Sequence, residues 1–543
     1  MPPTLAAVLA VLTVVVILAV IHVPLGSWIH RVFTSPTHTR VERLIYRLTG
    51  VDPDAEQRWG VYAVSVLAFS GVSILLLWGL ILAQPLLPFS QGRSMNVDTA
   101  LNTAVSFVTN TNWQSYAGEA GAGYLLQALG LTVQNFVSAA VGLAVAIAVV
   151  RGLTREHTDR LGNFWVDLTR GTLRVLLPLS VIAAIALVAC GVIQNLDEPV
   201  TITTIGGGTQ VLQGGLVASQ EAIKELGTNG GGFFNANSAY PFENPNGVSN
   251  LIEIVLMLAI PSALPYSYGL MVKDRRQGAT IAAVMAVLGF GAMAALTALE
   301  VAGGSLEGKE QRFGTAWSAI FASATTSTST GAVNAMHESL QPLSGGVALL
   351  NMMLGELSPG GVGTGLYSML VMVVLAVFVA GLMVGRTPEL LGKSIGRREI
   401  TLAALAMLIT PTLVLLGTGT ALLVPTSRHA MLASGPHGLS EMLYAFTSAA
   451  NNNGSAFAGL SADQPFLNLA LAACMLFGRF VPIVAMLALA GGLSRQGRRP
   501  VTAGTMPTHS ASFAGFLLAI ILVVAGLTYF PSLALGPIAE ALS

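Results

Sequence analysis

Four polar, glycine-bearing stretches interrupt an otherwise apolar chain. They read Phe107-Val-Thr-Asn-Thr-Asn112, Leu226-Gly-Thr-Asn-Gly-Gly-Gly232, Thr328-Ser-Thr-Gly-Ala332 and Asn451-Asn-Asn-Gly-Ser455. Hydroxyls, side-chain amides and backbone carbonyls are the groups that replace the hydration shell of a desolvated alkali cation. A single stretch of this kind reads as a turn-rich loop. Four of them, each after a short amphipathic segment and each before a long apolar one, can close a ring around one ion. The pattern predicts a cation filter of the potassium type, built by one chain.

The elements that must hold such a ring are legible from hydropathy. A bilayer core needs about 20 apolar residues per helix. Ten segments qualify: 5–24, 61–83, 124–150, 172–194, 250–272, 279–300, 367–385, 400–424, 465–492 and 512–530. Four shorter, semi-polar segments lie between them, at 98–109, 219–228, 315–328 and 440–451. Asp98, Ser219, Thr315 and Ser440 are the expected N-caps of these short helices. Their apolar faces carry Val105 and Phe107, Ile223 and Leu226, Ile320 and Phe321, and Leu443 and Phe446. A half-helix ending at its polar strand directs its negative end at the pore, where it favours a cation. Irregular backbone at membrane depth is tolerated only where it lines a cavity or is buried in protein.

Composition agrees. The 543 residues are 53% hydrophobic and 10% charged, with mean hydropathy +0.70, where a soluble chain carries about 25% charged residues. The expected fold class is therefore an all-α polytopic membrane protein: four membrane–pore–membrane repeats plus one extra transmembrane helix at each end. The domain reading is 1–60 for the first span and its loop, and 61–150, 170–273, 278–386 and 400–493 for the four repeats. The last span, 510–531, closes the chain. Most of the 26 Lys and Arg fall in the loops after spans one, three, five, seven and nine, Arg386 among them. The positive-inside rule makes those loops cytoplasmic and puts both termini and the four strands outside. The first apolar run lacks a basic leader and a cleavage site before Pro24, so it reads as a retained span rather than a signal peptide. Net charge is zero, which gives no reason to expect nucleic acid as a partner. Cys190 and Cys474 sit in apolar runs and read as small buried residues.

At the four stretches the chain resembles the potassium-translocating A subunit of the bacterial Kdp potassium-transporting ATPase. The resemblance rests on Phe107–Tyr116, Gly227–Ser238, Gly331–His337, Gly385–Glu389 and Ala449–Phe457, and is nearly full length. It implies a potassium-transporter-superfamily fold in the bacterial inner membrane. It also implies a complex with a P-type ATPase subunit, a small single-span subunit and a C subunit, in contact with membrane lipid. Potassium would be the transported ion, with no nucleotide on this chain.

Carried over residue by residue, the filter's glycine level falls on Asn110, Gly230, Gly331 and Gly454. The neighbouring lining falls on Thr109 and Thr111, Thr228 and Asn229, Ser329 and Thr330, and Asn452 and Asn453. Asn110 departs from glycine, as related A subunits do, and Thr330 stands where many relatives carry Cys. Gln114 matches a position associated with potassium affinity.

Three further features bear on gating and rivals. Arg479 lies near the middle of the apolar run Pro465–Leu493, too far from either end to reach the interface. A mid-bilayer cation costs about 2.5–3.5 kcal/mol or more on insertion scales, so a place in a watery vestibule under the filter is expected. Leu343–Gly365 carries Glu356 and then a proline and several glycines, which predicts a broken helix with an intramembrane gate loop. Gly392-Lys-Ser394 imitates the tail of a phosphate loop, but Thr387 stands where its first glycine belongs. No Asp-Lys-Thr-Gly run occurs for an aspartyl-phosphate. Gly206–Gly208 reads as an outer turn, and His337 as a residue that caps or lines the third loop. The rival readings are a stand-alone potassium channel or symporter of the same superfamily, and a polytopic membrane enzyme with a glycine-rich anion site at Gly227–Gly232.

Overall fold

A computed structural model describes residues 2–383, 385, 387–500 and 507–543. Arg386, counted above among the inner-face cations, lies outside them. Among the described residues, ten helices are long and apolar enough to cross a membrane: Pro3–Thr34, Trp59–Leu82, Leu126–Thr154, Phe164–Cys190, Gly247–Met271, Arg275–Gly303, Thr364–Met383, Arg397–Leu423, Pro465–Ser494 and Ala511–Leu542. They are called spans one to ten below, and the chain is a multi-pass membrane protein. Span three is 83% buried over its apolar window against 22% for spans one and eight. It is therefore the central post, and its small residues Ala139, Ala140, Gly142 and Ala144 let neighbouring backbones approach. Spans one and eight present their apolar side chains outward, as lipid requires.

The four short helices are Val97–Val108, Val217–Leu226, Gly314–Ser327 and Gly435–Asn451, called pore helices one to four. All eight apolar-face residues expected of them are buried. None of the expected N-cap residues is the cap. The helices begin earlier, with Asn96, Leu216, Phe313 and Ser434 at the cap positions. Asp98 instead accepts from the Asn468 amide at 2.9 Å. Ser219 and Ser440 donate back to the carbonyls of Leu216 (3.1 Å) and Pro436 (3.0 Å). Packing against neighbouring elements overrides the local capping preference.

Between pore helix three and span seven the chain forms a helix at Pro342–Met353, leaves it at Leu354 and resumes at Thr364. Gly355, Gly360 and Gly363 take φ values of +80°, +82° and +87° there, which helical continuation does not allow. Gly206–Gly208 turns a small hairpin, Val200–Thr203 against Thr209–Leu212. An unforeseen helix, Arg40–Thr49, is fixed by a capping box between Thr39 and Glu42.

The loops after spans one, three, seven and nine meet on one face. Arg155 pairs with Glu56 at 2.6 Å, Arg498 with Glu156 at 3.1 Å, and the Ser394 amide donates to Gln496 at 2.8 Å. Arg151 is not free surface charge. It makes a two-pronged pair with buried Asp167 at 2.5 and 2.8 Å, and Tyr62 donates to the same carboxylate at 3.0 Å.

Candidate functional site

Each pore helix delivers its C-terminal end to a polar strand. Three strands start with the same closure. The amide of Thr111 donates to Ser106 O, that of Asn229 to Lys224 O and that of Asn453 to Ser448 O, each at 2.9 Å. The backbone then alternates. Asn110, Thr228 and Asn452 have φ of +67°, +50° and +61°, and two residues later Asn112, Gly230 and Gly454 have +56°, +89° and +101°; Gly331 in strand three has +79°. Left-handed residues at every second position turn successive carbonyls toward the same side, unlike an ordinary strand where they alternate.

Contacts between strands define the ring. A Cβ added to Gly230 would collide with Thr330 O and the Ala332 amide. One on Gly331 would meet Asn453 O and the Ser455 amide, and one on Gly454 would meet Thr111 O and approach the Trp113 amide. Each glycine thus faces the residues just before and after the equivalent position of the next strand. By that relation the equivalent of Gly454's neighbour in strand one is Asn112, which lies between Thr111 and Trp113. The Cβ of Asn112 in turn lies against Gly231 of strand two. The sequence register that put Asn110 at the glycine level is therefore shifted by two. Asn110 belongs with Thr228, Ser329 and Asn452. Both asparagines are left-handed, so residue type alone did not distinguish them.

Side chains of the strands brace the ring. The Asn110 amide donates to Thr228 O at 2.6 Å and accepts from Ser138 at 2.7 Å, and it lies 2.6 Å from the Asn229 amide. Thr109 and Thr111 hydroxyls meet at 2.8 Å, and those of Thr328 and Thr330 at 2.7 Å. Asn452 donates to Thr111 Oγ1 at 2.9 Å. Asn453 donates to the carbonyls of Thr325 and Thr328, both at 2.8 Å. Asn112 donates to Asn135 of span three at 2.7 Å. Asn135 and Ser138, two polar residues inside an apolar span, are the sequence signal that could have pointed to this bracing. The ring is buried apart from Asn451 and Gly454, which are half-buried.

The broken-helix loop, Leu354–Gly363, sits directly beneath. The Val362 amide donates to Thr228 Oγ1 at 3.0 Å and the Gly360 amide to Ser327 O at 2.9 Å. Glu356 accepts from the Ser329 hydroxyl and from the Asn453 amide, the latter at 2.9 Å. One loop thereby touches strands two, three and four. Arg479 is 4% exposed in span nine, and among the described residues no carboxylate lies within ion-pair distance of it. A Cβ on Gly142 would lie 3.4 Å from the guanidinium and would collide with Val362 O. This places the charge beside the loop. Ser329, Glu356, Thr364, Asn452 and Gly478 line a cavity of about 120 Å³ that runs from the strands toward spans eight and ten. Gln114 is at the other mouth, accepting from the Gly232 amide at 3.0 Å and donating to Tyr116 at 3.2 Å.

Two other motifs are accounted for structurally. Lys393 is buried, and its ammonium donates to Leu493 O at 2.8 Å, Gly152 O at 3.3 Å and Arg155 O. It caps the C-terminal ends of spans three and nine, the favourable end for a cation, and is not available to a phosphate. Gly227–Gly232 follows the C-terminal end of pore helix two, whereas anions collect at helix N-termini. His337 is buried with Nδ1 2.9 Å from the Tyr444 hydroxyl. Cys190 and Cys474 are both free.

Known proteins place this geometry in context. Residues 12–542 match the family described as the potassium-transporting ATPase A subunit. A protein of Kineococcus radiotolerans named potassium-transporting ATPase potassium-binding subunit is 59% identical over 97% of this chain and 96% of its own length. One of the same name from Mycobacterium sp. strain KMS is 57% identical over the full length of both. The crystal structure of the potassium transporter TrkH from Vibrio parahaemolyticus covers 76% of the chain with a TM-score of 0.52 at 15% identity, which shows a shared fold. With the ring of strands, the central post and the full-length match in agreement, the chain belongs to the potassium-transporting ATPase A subunit family.

Proposed function

We propose that this chain binds extracellular potassium in the four-strand ring and passes it inward as the channel-like subunit of an ATP-driven uptake complex. The observation that carries this reading is the cyclic packing of the four strands at the C-terminal ends of four pore helices. Helix ends and main-chain carbonyls supply partial negative charge without a fixed anion, which suits a monovalent cation that must also leave. The side chains of Thr109, Asn110, Thr111, Asn229, Thr330, Asn452 and Asn453 brace the strands, and the carbonyls are the ion's ligands.

Glu356 and Arg479 then act below the ring. Glu356 holds the gate loop to strands three and four, and Arg479 sets a positive barrier that limits onward passage. ATP is handled by a P-type ATPase partner, with a small single-span subunit and a C subunit completing the complex in the bacterial inner membrane. Both termini face the periplasm. The positive face of the loops after the odd-numbered spans supports that orientation.

The test is cation-stimulated ATP hydrolysis by the assembled complex, measured against potassium, rubidium and sodium, alongside direct potassium binding to the purified chain. Selective stimulation and binding by potassium are expected. Equal response to sodium would overturn the reading.

A further inference from the structure

Behind pore helix two lies a buried charge cluster that the filter does not use. Glu221, Lys224 and Glu225 come from that helix, Glu243 from the loop after strand two, and Glu253 from the first turns of span five; all are at most 1% exposed. The Lys224 ammonium is 2.8 Å from Glu221, 3.4 Å from Glu243 and 3.5 Å from Glu225. Glu243 is satisfied, accepting from the amides of Phe233 (2.5 Å) and Phe234 (2.9 Å). Glu253 is not: among the described residues neither of its oxygens has a hydrogen-bond partner, and Glu225 Oε2 has none either. One carboxylate oxygen each from Glu221, Glu225 and Glu253 lie within 4.8 Å of one another.

With all four carboxylates ionised against one ammonium, the cluster would be three positive charges short in a space closed to water. Buried unpaired charge of this kind is not tolerated without compensation. We propose that a divalent hard cation of calcium's size binds between Glu221, Glu225 and Glu253 and fastens pore helix two to span five. Oxygen-only ligands select hard cations. Calcium, with bonds of 2.3–2.6 Å, spans oxygens up to about 5 Å apart, whereas magnesium spans roughly 4 Å. A divalent ion offsets two of the three missing charges and a monovalent ion only one.

The site is distinct from the filter but connected to it. The Lys224 ammonium also donates to Asn237 Oδ1 at 2.7 Å, and the Asn237 amide donates to Gly230 O at 2.8 Å. Lys224 O receives the amides of Asn229 (2.9 Å) and Gly230 (3.3 Å). A cation behind the helix therefore steadies strand two through these bonds.

The experiment uses the purified full-length chain in detergent at constant potassium. Metal content is measured before and after chelation, and the thermal unfolding midpoint is followed with added calcium, magnesium or neither. One calcium per chain, lost on chelation, is expected, with a midpoint that falls on chelation and returns with calcium more than with magnesium. Glu253→Gln should abolish both the metal and its effect on the midpoint. Should that variant not fold, the wild-type measurements decide alone. Absence of bound divalent metal together with a midpoint indifferent to chelator and calcium would overturn the proposal and leave protons shared among the carboxylates as the compensating charge. That result leaves the filter untouched, because potassium selectivity is read separately on the assembled complex.

Discussion

Gly454 of the fourth strand lies against the carbonyl of Thr111 in the first so closely that a Cβ on the glycine would collide with the oxygen. That contact closes the ring, joining residues more than three hundred positions apart in the chain.

Replacing Gly454 or Gly230 with serine should therefore deform one quarter of the ring. A Cβ in a left-handed conformation costs about 1–2 kcal/mol, roughly a tenfold loss in affinity, and the collision with the neighbouring strand adds to it. Potassium affinity should fall by at least about that factor, and discrimination against sodium and rubidium should fall with it. Gly207→Ser has open space around it and should leave both intact. Cation-stimulated ATPase activity of the assembled complex reads the difference, and unchanged selectivity in both ring variants would remove the ring from the ion's path.

Asn112 offers a test of the register. It sits at the glycine level with φ of +56°, so Asn112→Gly should keep potassium selectivity, while Asn112→Val should lose it because a β-branched residue resists positive φ. Equal loss in both variants would mean that the Asn112–Asn135 hydrogen bond, not the backbone conformation, is what matters.

Among the described residues no carboxylate lies within ion-pair distance of Arg479. Arg479→Met should loosen the link between transport and ATP hydrolysis while shifting external potassium affinity less. Parallel measurements of flux and hydrolysis in proteoliposomes check this, and wild-type coupling in the variant would reduce Arg479 to a structural role.

No nucleotide-binding element is present among the described residues, and Lys393 is engaged as a helix cap. The purified chain should hydrolyse no ATP, and potassium-stimulated hydrolysis should appear only when the ATPase partner is added. Turnover by the partner-free chain would contradict the assignment of energy supply to another subunit.

At the start of pore helix four His437 stands between two carboxylates, with Nδ1 2.8 Å from Glu540 and Nε2 3.5 Å from Glu338. The Glu338 hydrogen bond, ahead of the opposing effect of burial, and the Glu540 contact raise its pKa to about 9. A raised folded-state value means the contribution is complete below the ordinary histidine range near 6.5 and is lost as pH climbs through about 9. The wild-type unfolding midpoint should drop between those values, and His437→Gln should flatten that part of the profile. A profile unchanged by the substitution would show that this tie to the chain's end carries no stability.

How much of this was legible beforehand follows from which interactions are local. Hydropathy and charge placement by themselves determined the ten spans, their pairing around four short helices and the polar strands, because burial in lipid acts on every residue of a segment at once. The break before span seven was readable too, since glycine and proline act on their own backbone. The helix starts were not. Asp98 is drawn to Asn468, and Ser219 and Ser440 donate back to their own helices, so local capping preferences gave way to packing. Nor was the level of Asn112, because Asn110 and Asn112 are the same residue in nearly the same conformation. Only the neighbours supplied by strands two and four separate them. The Glu221, Glu225 and Glu253 cluster was equally hidden, since a glutamate's burial depends on what folds over it. Chain-local forces therefore set the elements, and contacts between distant strands decided which atoms face one another.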